Sequence, residues 1–368
     1  MKRCRSNLAN KVQRLRCQPR EMSLLNKKRN GLLLAGLLAL MPTCHAQANR
    51  NVVDTWHIGG EGQWDYVTVD PATHRIFVTR TTHTQVLDGT TGHVLGDIPG
   101  QIRSHGVALA PSVNRGFITD GGGSGSIVVF DLKTYAILGR LAAMPDADGI
   151  IFDAALNRVL AVSGDGNALF TFKADIDPSS GKIDPPIGLG GSPEFLASDG
   201  SGKVYVNLQD KDVVAEVDLA ARKVIAQWPV APGGNPVGLS IEKEHHHLFI
   251  GCRKPQKLVV MSTEDGRIVA ALPIGAGVDA TAFDSGQAFA STRDGLLTVI
   301  GERGGSFEVE QVVKTMEGAR TMGVDASTHK IYLPTALFET ASSDTAASRP
   351  KPKPDSFMVL EVERTPSK

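Results

Sequence analysis

The sequence predicts an all-β chain folded as a seven-bladed β-propeller that is closed by its N-terminal strand. Three observations carry this expectation. A hairpin pattern returns every 40 to 46 residues, and each copy is followed by further short strands. Thirty-nine glycines and twenty prolines separate short apolar runs, which is the composition of many strands joined by tight turns. The last copy ends one strand short, and an unassigned strand stands at the front of the chain.

The reference copy is Tyr66 to Thr79, YVTVDPATHRIFVT. Two alternating strands flank an Asp-Pro turn, in which Pro71 fixes φ and Asp70 can accept hydrogen bonds from the turn. This first unit runs to about Gly100, and the second runs from Ser104 to Met144. The third opens at Ala147, the fourth at Ser192, the fifth at Asn235 and the sixth, with a shortened first turn, at Val278. The seventh opens at Ala319, carries two strands and a long insertion, and finishes with SFMVLEVE at Ser356 to Glu363. Its missing fourth strand is expected to be Asn51 to Ile58, because pairing the chain ends removes two exposed sheet edges. Six and eight blades are the competing layouts.

Ahead of the propeller, expected over 51–364, stands a presequence. Lys27, Lys28 and Arg29 precede the apolar run Gly31 to Met41, and small residues follow at Ala46 and Ala48. Eleven apolar residues are too few for the roughly 20 that span a bilayer, so residues 1–46 are expected to be a cleaved signal peptide and the protein periplasmic or secreted. Cleavage removes ten basic residues and one acidic one, leaving 29 against 38 and a formal charge of −9. An acidic chain without clustered cations argues against nucleic acid as a partner. Cys252 is then the one remaining cysteine, which excludes an internal disulfide. The expected state is a monomer with no membrane span.

The chain resembles the YncE-like, YVTN-repeat β-propeller proteins of bacteria over essentially all of Asn51 to Glu363. The residues that carry the resemblance are FVTR at Phe77, FITD at Phe117, YVNL at Tyr205 and FIGC at Phe249. It implies the propeller fold and no single shared reaction.

Aligning the units on the turn after strand one and stepping back five residues gives Asp65, His105, Asp148, Glu194, Val237, Asp279 and Arg320. In a propeller these positions converge on one mouth of the central channel. Two carboxylates about 6 Å apart repel by roughly 3 kcal/mol at an effective dielectric near 20, so such a ring should hold protons, a cation or Arg320. Oxygen ligands with one imidazole suit Ca²⁺, Mn²⁺ or Zn²⁺, so a divalent metal is a candidate cofactor. The same residues would equally serve to tie strand ends to water.

A second ring comes from the loops after strand two: Arg80, Asp120, Ser163, Asn207, Arg253 and Arg293. Its arginines suit an anionic or zwitterionic ligand. The insertion Ala336 to Ser356 is rich in Ser, Lys and Pro and is expected to be a flexible segment near the same mouth. His245, His246 and His247 read as a solvated turn, and Cys252 as a buried thiol.

Two functions follow. The first is an exported, non-enzymatic binding or scaffold protein that offers the polar mouth to a small molecule or a protein, with Trp64 and Phe338 as rim aromatics. The alternative is a metal-assisted lactonase-like hydrolase, in which Asp65, Glu194 and Asp279 hold the metal and His105 or Asp148 is the general base.

Overall fold

A computed structural model of the chain describes residues 49–339 and 351–365. The expected signal peptide and residues 340–350 of the insertion lie outside them. Among the described residues there is no α-helix, and a single 3-10 turn spans Pro111–Val113. No helix there is long and apolar enough to cross a membrane.

The repeated turn explains the hairpins. In the first unit the Asp70 carboxylate accepts the Ala72 N–H at 3.0 Å and the Thr73 hydroxyl at 2.7 Å, which folds the chain back at once. His74 then takes a left-handed conformation, φ 55°, and the second strand starts at Arg75. The same place is left-handed at Asn114, Asn157, His246 and His329. Asn and His tolerate that region better than most side chains. In the shortened turn of the sixth unit, Ser285 and Gly286 are both left-handed, the geometry favoured in two-residue hairpins.

Second and third strands are buried on both faces, as in Arg158–Ser163 and Ala168–Lys173, so they read as continuous apolar runs. Outer strands alternate, as in Lys223–Pro229. The core accordingly lies between neighbouring sheets: Phe117, Val129 and Leu141 from one pack against Val159, Ala161 and Phe170 from the next. Each phenylalanine buried in this way stabilises the fold by about 2–3 kcal/mol.

Every sheet is antiparallel. The N-terminal strand Asn49–His57 pairs with the C-terminal strand Met358–Thr365, from Asn49↔Thr365 to His57↔Met358, and the sheet continues through Lys330–Thr335 to Gly323–Asp325. Arg50 fixes this strand to the sheet before it: its Nε donates to Gln287 Oε1 at 3.1 Å, its Nη1 to His329 O at 3.0 Å, and its guanidinium lies over Phe289. The first strands of successive units, from Val67–Asp70 round to Gly323–Asp325, lie beside one another, and the last lies beside the first. A cavity of about 60 Å³ between them draws lining residues from each unit, among them Val67, Val107, Ile150, Phe195, Leu239, Ala280 and Met322.

One expectation needs correction. The break between the first two units at Gly100 to Ser104 is absent: Val94–Ala110 is one strand, paired with Thr81–Asp88 in its first half and Arg115–Asp120 in its second. The Asp120 carboxylate keeps the link extended by accepting the N–H groups of Ile102 (3.0 Å) and Arg103 (2.8 Å). The described ends of the insertion pair with each other, and the flexible segment expected between them falls on residues 340–350, outside the described ones. Glu339 N–H donates to Lys351 O at 2.9 Å and Lys353 N–H to Leu337 O at 2.7 Å, forming a short ladder at its base.

Candidate functional site

The backbone of the ring positions is held by side chains of the preceding unit. Thr79 Oγ1 donates to His105 O (2.7 Å), Thr119 Oγ1 to Asp148 O (2.6 Å), Asn207 Nδ2 to Val237 O (2.9 Å) and Ser291 Oγ to Arg320 O (2.6 Å). Thr321 Oγ1 reaches Asp65 O at 2.8 Å, joining the last unit to the first. Short polar residues at the end of strand two therefore fix where the next unit's functional side chain begins.

These side chains gather into two charge groups. In the first, His105 Nδ1 donates to Asp65 Oδ2 at 2.6 Å and lies 3.4 Å from Asp148 Oδ1. Burial lowers the His105 pKa, but the Asp65 hydrogen bond and the charges of Asp148 and Asp65 outweigh it and raise it to about 9. Burial, with Asp65, Glu194 and Asp146 adding to it and His105 opposing, holds the Asp148 carboxyl well above the usual range. In the second group, Asp279 takes Arg320 Nε at 2.5 Å on one oxygen and Arg253 Nη2 on the other. Arg320 is pinned further by Trp64 O at 2.9 Å, and Arg253 by Val278 O at 3.0 Å.

Glu194 feels both groups. Burial raises its carboxyl from an ordinary 4.5 to about 7; Arg253 opposes this, whereas Asp279, Asp65 and Asp146 add to it. Ionising Glu194 thus costs more in the folded protein than in the unfolded chain, and stability is lost as pH rises from about 4.5 through 7. His105 acts in the same direction at higher pH: its stabilisation is complete below 6.5 and is lost as pH rises through about 9. Glu194→Gln is expected to stabilise the protein by up to about 3 kcal/mol near pH 8 and by nothing near pH 4, measured by urea unfolding at the two pH values.

One residue along from each ring position the layer is Tyr66, Gly106, Gly149, Phe195, Gly238, Ala280 and Thr321. Five of these are small, and the two large ones meet: the Tyr66 and Phe195 rings lie 4.9 Å apart. The glycines make the room, since a Cβ on Gly149 would stand 2.7 Å from Glu194 O and 3.3 Å from the Phe195 ring. Burial, followed by the charges of Asp148, Glu194, Asp65 and Asp279, holds the Tyr66 phenol well above its ordinary pKa and so neutral. Sequence reasoning missed Tyr66. Its signal was a lone aromatic pair in an otherwise small layer. A pocket of about 530 Å³, lined by Gln63, Trp64, Asp65, Arg103, His105 and Arg320, opens beside the first charge group.

Four of the six positions of the second expected ring, Arg80, Asp120, Ser163 and Asn207, are buried rather than on a rim. Arg80 is fully buried, donating to Glu61 O (2.7 Å) and Gln85 Oε1 (2.6 Å) with its guanidinium 3.6 Å from the Phe357 ring centre; burial lowers its pKa to about 10. Asp120, Ser163 and Asn207 are likewise buried and bonded to backbone. Arg253 joins the Asp279 group, and Arg293 ties its backbone to Gly277 O and Gly318 N, in the segments leading to Asp279 and Arg320.

The expected metal set of Asp65, Glu194 and Asp279 is also corrected. Two guanidiniums already occupy Asp279, and among the described residues the group of three whose ligand atoms lie within 4.8 Å of one another is Asp65, His105 and Asp148. Trp64 is not a rim aromatic: it is buried between Phe338 and Phe357, at ring distances of 6.2 and 5.8 Å.

No family model matches the chain, and no curated protein matches it. Among solved structures it is similar to the hydrazine synthase of Kuenenia stuttgartiensis, with 13% identity and a TM-score of 0.64 over 75% of this chain and 94% of that one. It is also similar to the WD40 repeats of RRP9, with 11% identity and a TM-score of 0.71 over 86% of this chain and 99% of that one. At such identities the likeness is one of fold, and the fold is all-β of the propeller type.

Proposed function

We propose that the chain is an exported seven-bladed β-propeller, closed by its N-terminal strand and related to the YVTN-repeat proteins, that binds a small polar ligand in a cup at one end of its axis. The observation that supports this most is the gathering of Asp65, His105, Asp148, Glu194, Asp279 and Arg320, from six different units, above the Tyr66 and Phe195 rings. The rings form a floor, so the site is a cup rather than a passage. Carboxylates with raised pKa and pinned guanidiniums stand ready around it, a mixed lining that suits a ligand carrying both donors and an anionic or cationic end.

Thermal unfolding in the presence of small amines, amino acids and hydroxy acids at millimolar concentration tests the reading. At least one of these classes should raise the midpoint for the wild type and fail to do so for Glu194→Gln. No shift with any class would contradict it. For export, the N-terminus of protein recovered outside the cytoplasm should begin just after Ala46 or Ala48.

A second reading, a lactonase-like hydrolase, is favoured by the close grouping of Asp65, His105 and Asp148. It requires a metal ion at that group and turnover of a lactone panel that disappears in Asp148→Asn.

A further inference from the structure

We propose that Asp65, His105 and Asp148 bind one first-row transition-metal dication, with zinc preferred, on the wall of the cup. The inference rests on the convergence of the ring residues and not on the identity of the organic ligand.

The geometry is near that of a site already. In a tetrahedral zinc site with ligands at about 2.0–2.2 Å, neighbouring ligand atoms are separated by about 3.3–3.5 Å. His105 Nδ1 and Asp148 Oδ1 are 3.4 Å apart, and Asp65 Oδ2, now 2.6 Å from Nδ1, has to withdraw by less than about 1 Å. The second observation is Asp148 Oδ1 itself, a buried oxygen that faces the His105 ring at 3.4 Å but accepts no aligned hydrogen bond. A buried acceptor without an aligned donor is costly, and a dication at bonding distance offsets that cost where the misaligned ring does so only in part.

Charge and softness choose the ion. Two carboxylates and a neutral imidazole around a dication sum to zero, and an imidazole among the ligands favours zinc over the all-oxygen coordination of calcium or magnesium. Arg103, the nearby cation, is drawn aside by Asp146 at 2.9 Å. Asp65 and His105 also line the 530 Å³ pocket, so a three-ligand site has an open side for water or a ligand group.

Other His–carboxylate groups do not offer this. Glu242, beside His245 and His247, spends its oxygens on the N–H groups of Glu244 and His245. The His74–Asp325 and His329–Asp284 pairs each bring one carboxylate, and those serve turns and neighbouring units.

Isothermal titration of zinc chloride into protein purified from cells without an affinity tag, at near-neutral pH, tests the proposal. The expected result is one site that His105→Gln and Asp148→Asn each weaken by more than about 100-fold, the upper end of what losing an outer partner costs. His245→Ala should leave it unchanged, and calcium chloride should not compete. Zinc binding that survives both substitutions, or none in the wild type, overturns the proposal. Should His105→Gln fail to fold, Asp148→Asn and Asp65→Asn carry the same comparison. A protein that shifts with an organic ligand but takes no zinc would overturn the metal site and leave the cup intact.

Discussion

A chain that starts after His57 is expected to show no cooperative thermal transition and to be recovered as aggregate. The N-terminal strand is the neighbour of Met358–Thr365, whose first five residues are fully buried, and its loss opens that edge to water and to other chains. Arg50 goes with it, so His329 O and Gln311 lose its hydrogen bonds, Gln287 Oε1 keeps only Arg364 Nη2 at 3.0 Å, and the Phe289 face is uncovered. Each hydrogen bond lost from such half-buried groups costs about 0.5–1.5 kcal/mol. The Trp56 ring, 5.5 Å from Tyr332, is lost as well, and burial of a large apolar side chain contributes about 2–3 kcal/mol. Together these reach the roughly 5–15 kcal/mol by which folded domains are stable. A soluble truncated protein with a sharp melting transition would show that the strand is an accessory.

The second large effect is expected at Asp279. Its carboxylate pairs with two guanidiniums, and Arg320 is only 12% exposed at the side chain. Asp279→Ala leaves both cations without their partner in a poorly solvated place, and breaking such a pair from one side costs about 3–5 kcal/mol. Asp279→Asn, which keeps an acceptor and the shape, should lose less. Urea unfolding of the two variants measures both. Loss of Asp279 also removes one of the charges that raise Glu194, so the Glu194 carboxyl should titrate lower in either variant. An Asp279→Ala protein as stable as the wild type would mean that water already screens this group.

Much of this was legible because the repeat makes distant residues comparable. The Asp70 turn, the apolar second and third strands and the position of Asp65, His105 and Asp148 all follow from patterns a single unit displays. What the pattern could not give is where a long side chain turns. Arg80 and Arg253 occupy the same place in their units, yet Arg80 runs inward over Phe357 while Arg253 reaches Asp279. The difference lies in what surrounds each: carbonyls of Glu61 and Gly62 from an extra N-terminal loop in one case, a carboxylate in the other. Tyr66 and Phe195 were hidden for a related reason. They come from units that are not adjacent, and only the opposition of the two units brings their rings together.

The continuity of Val94–Ala110 is not visible locally, since Pro99 and Gly100 are residues common in turns. Hydrogen bonds from the Ile102 and Arg103 N–H groups to Asp120, 18 and 17 residues away, override that local signal. The metal ligands differ from the expected set because sequence equivalence does not say which carboxylate an arginine already holds.

The claim beneath all of this is that side chains 40 and 43 residues apart, Asp65 with His105 and His105 with Asp148, meet around one imidazole. Titration of the His105 ring by NMR, in the presence of a chelator, measures it. The account predicts a midpoint near 9 that falls toward 6.5 when either Asp65 or Asp148 is changed to Asn. A His105 that titrates near 6.5 in the wild type and ignores both substitutions would contradict it.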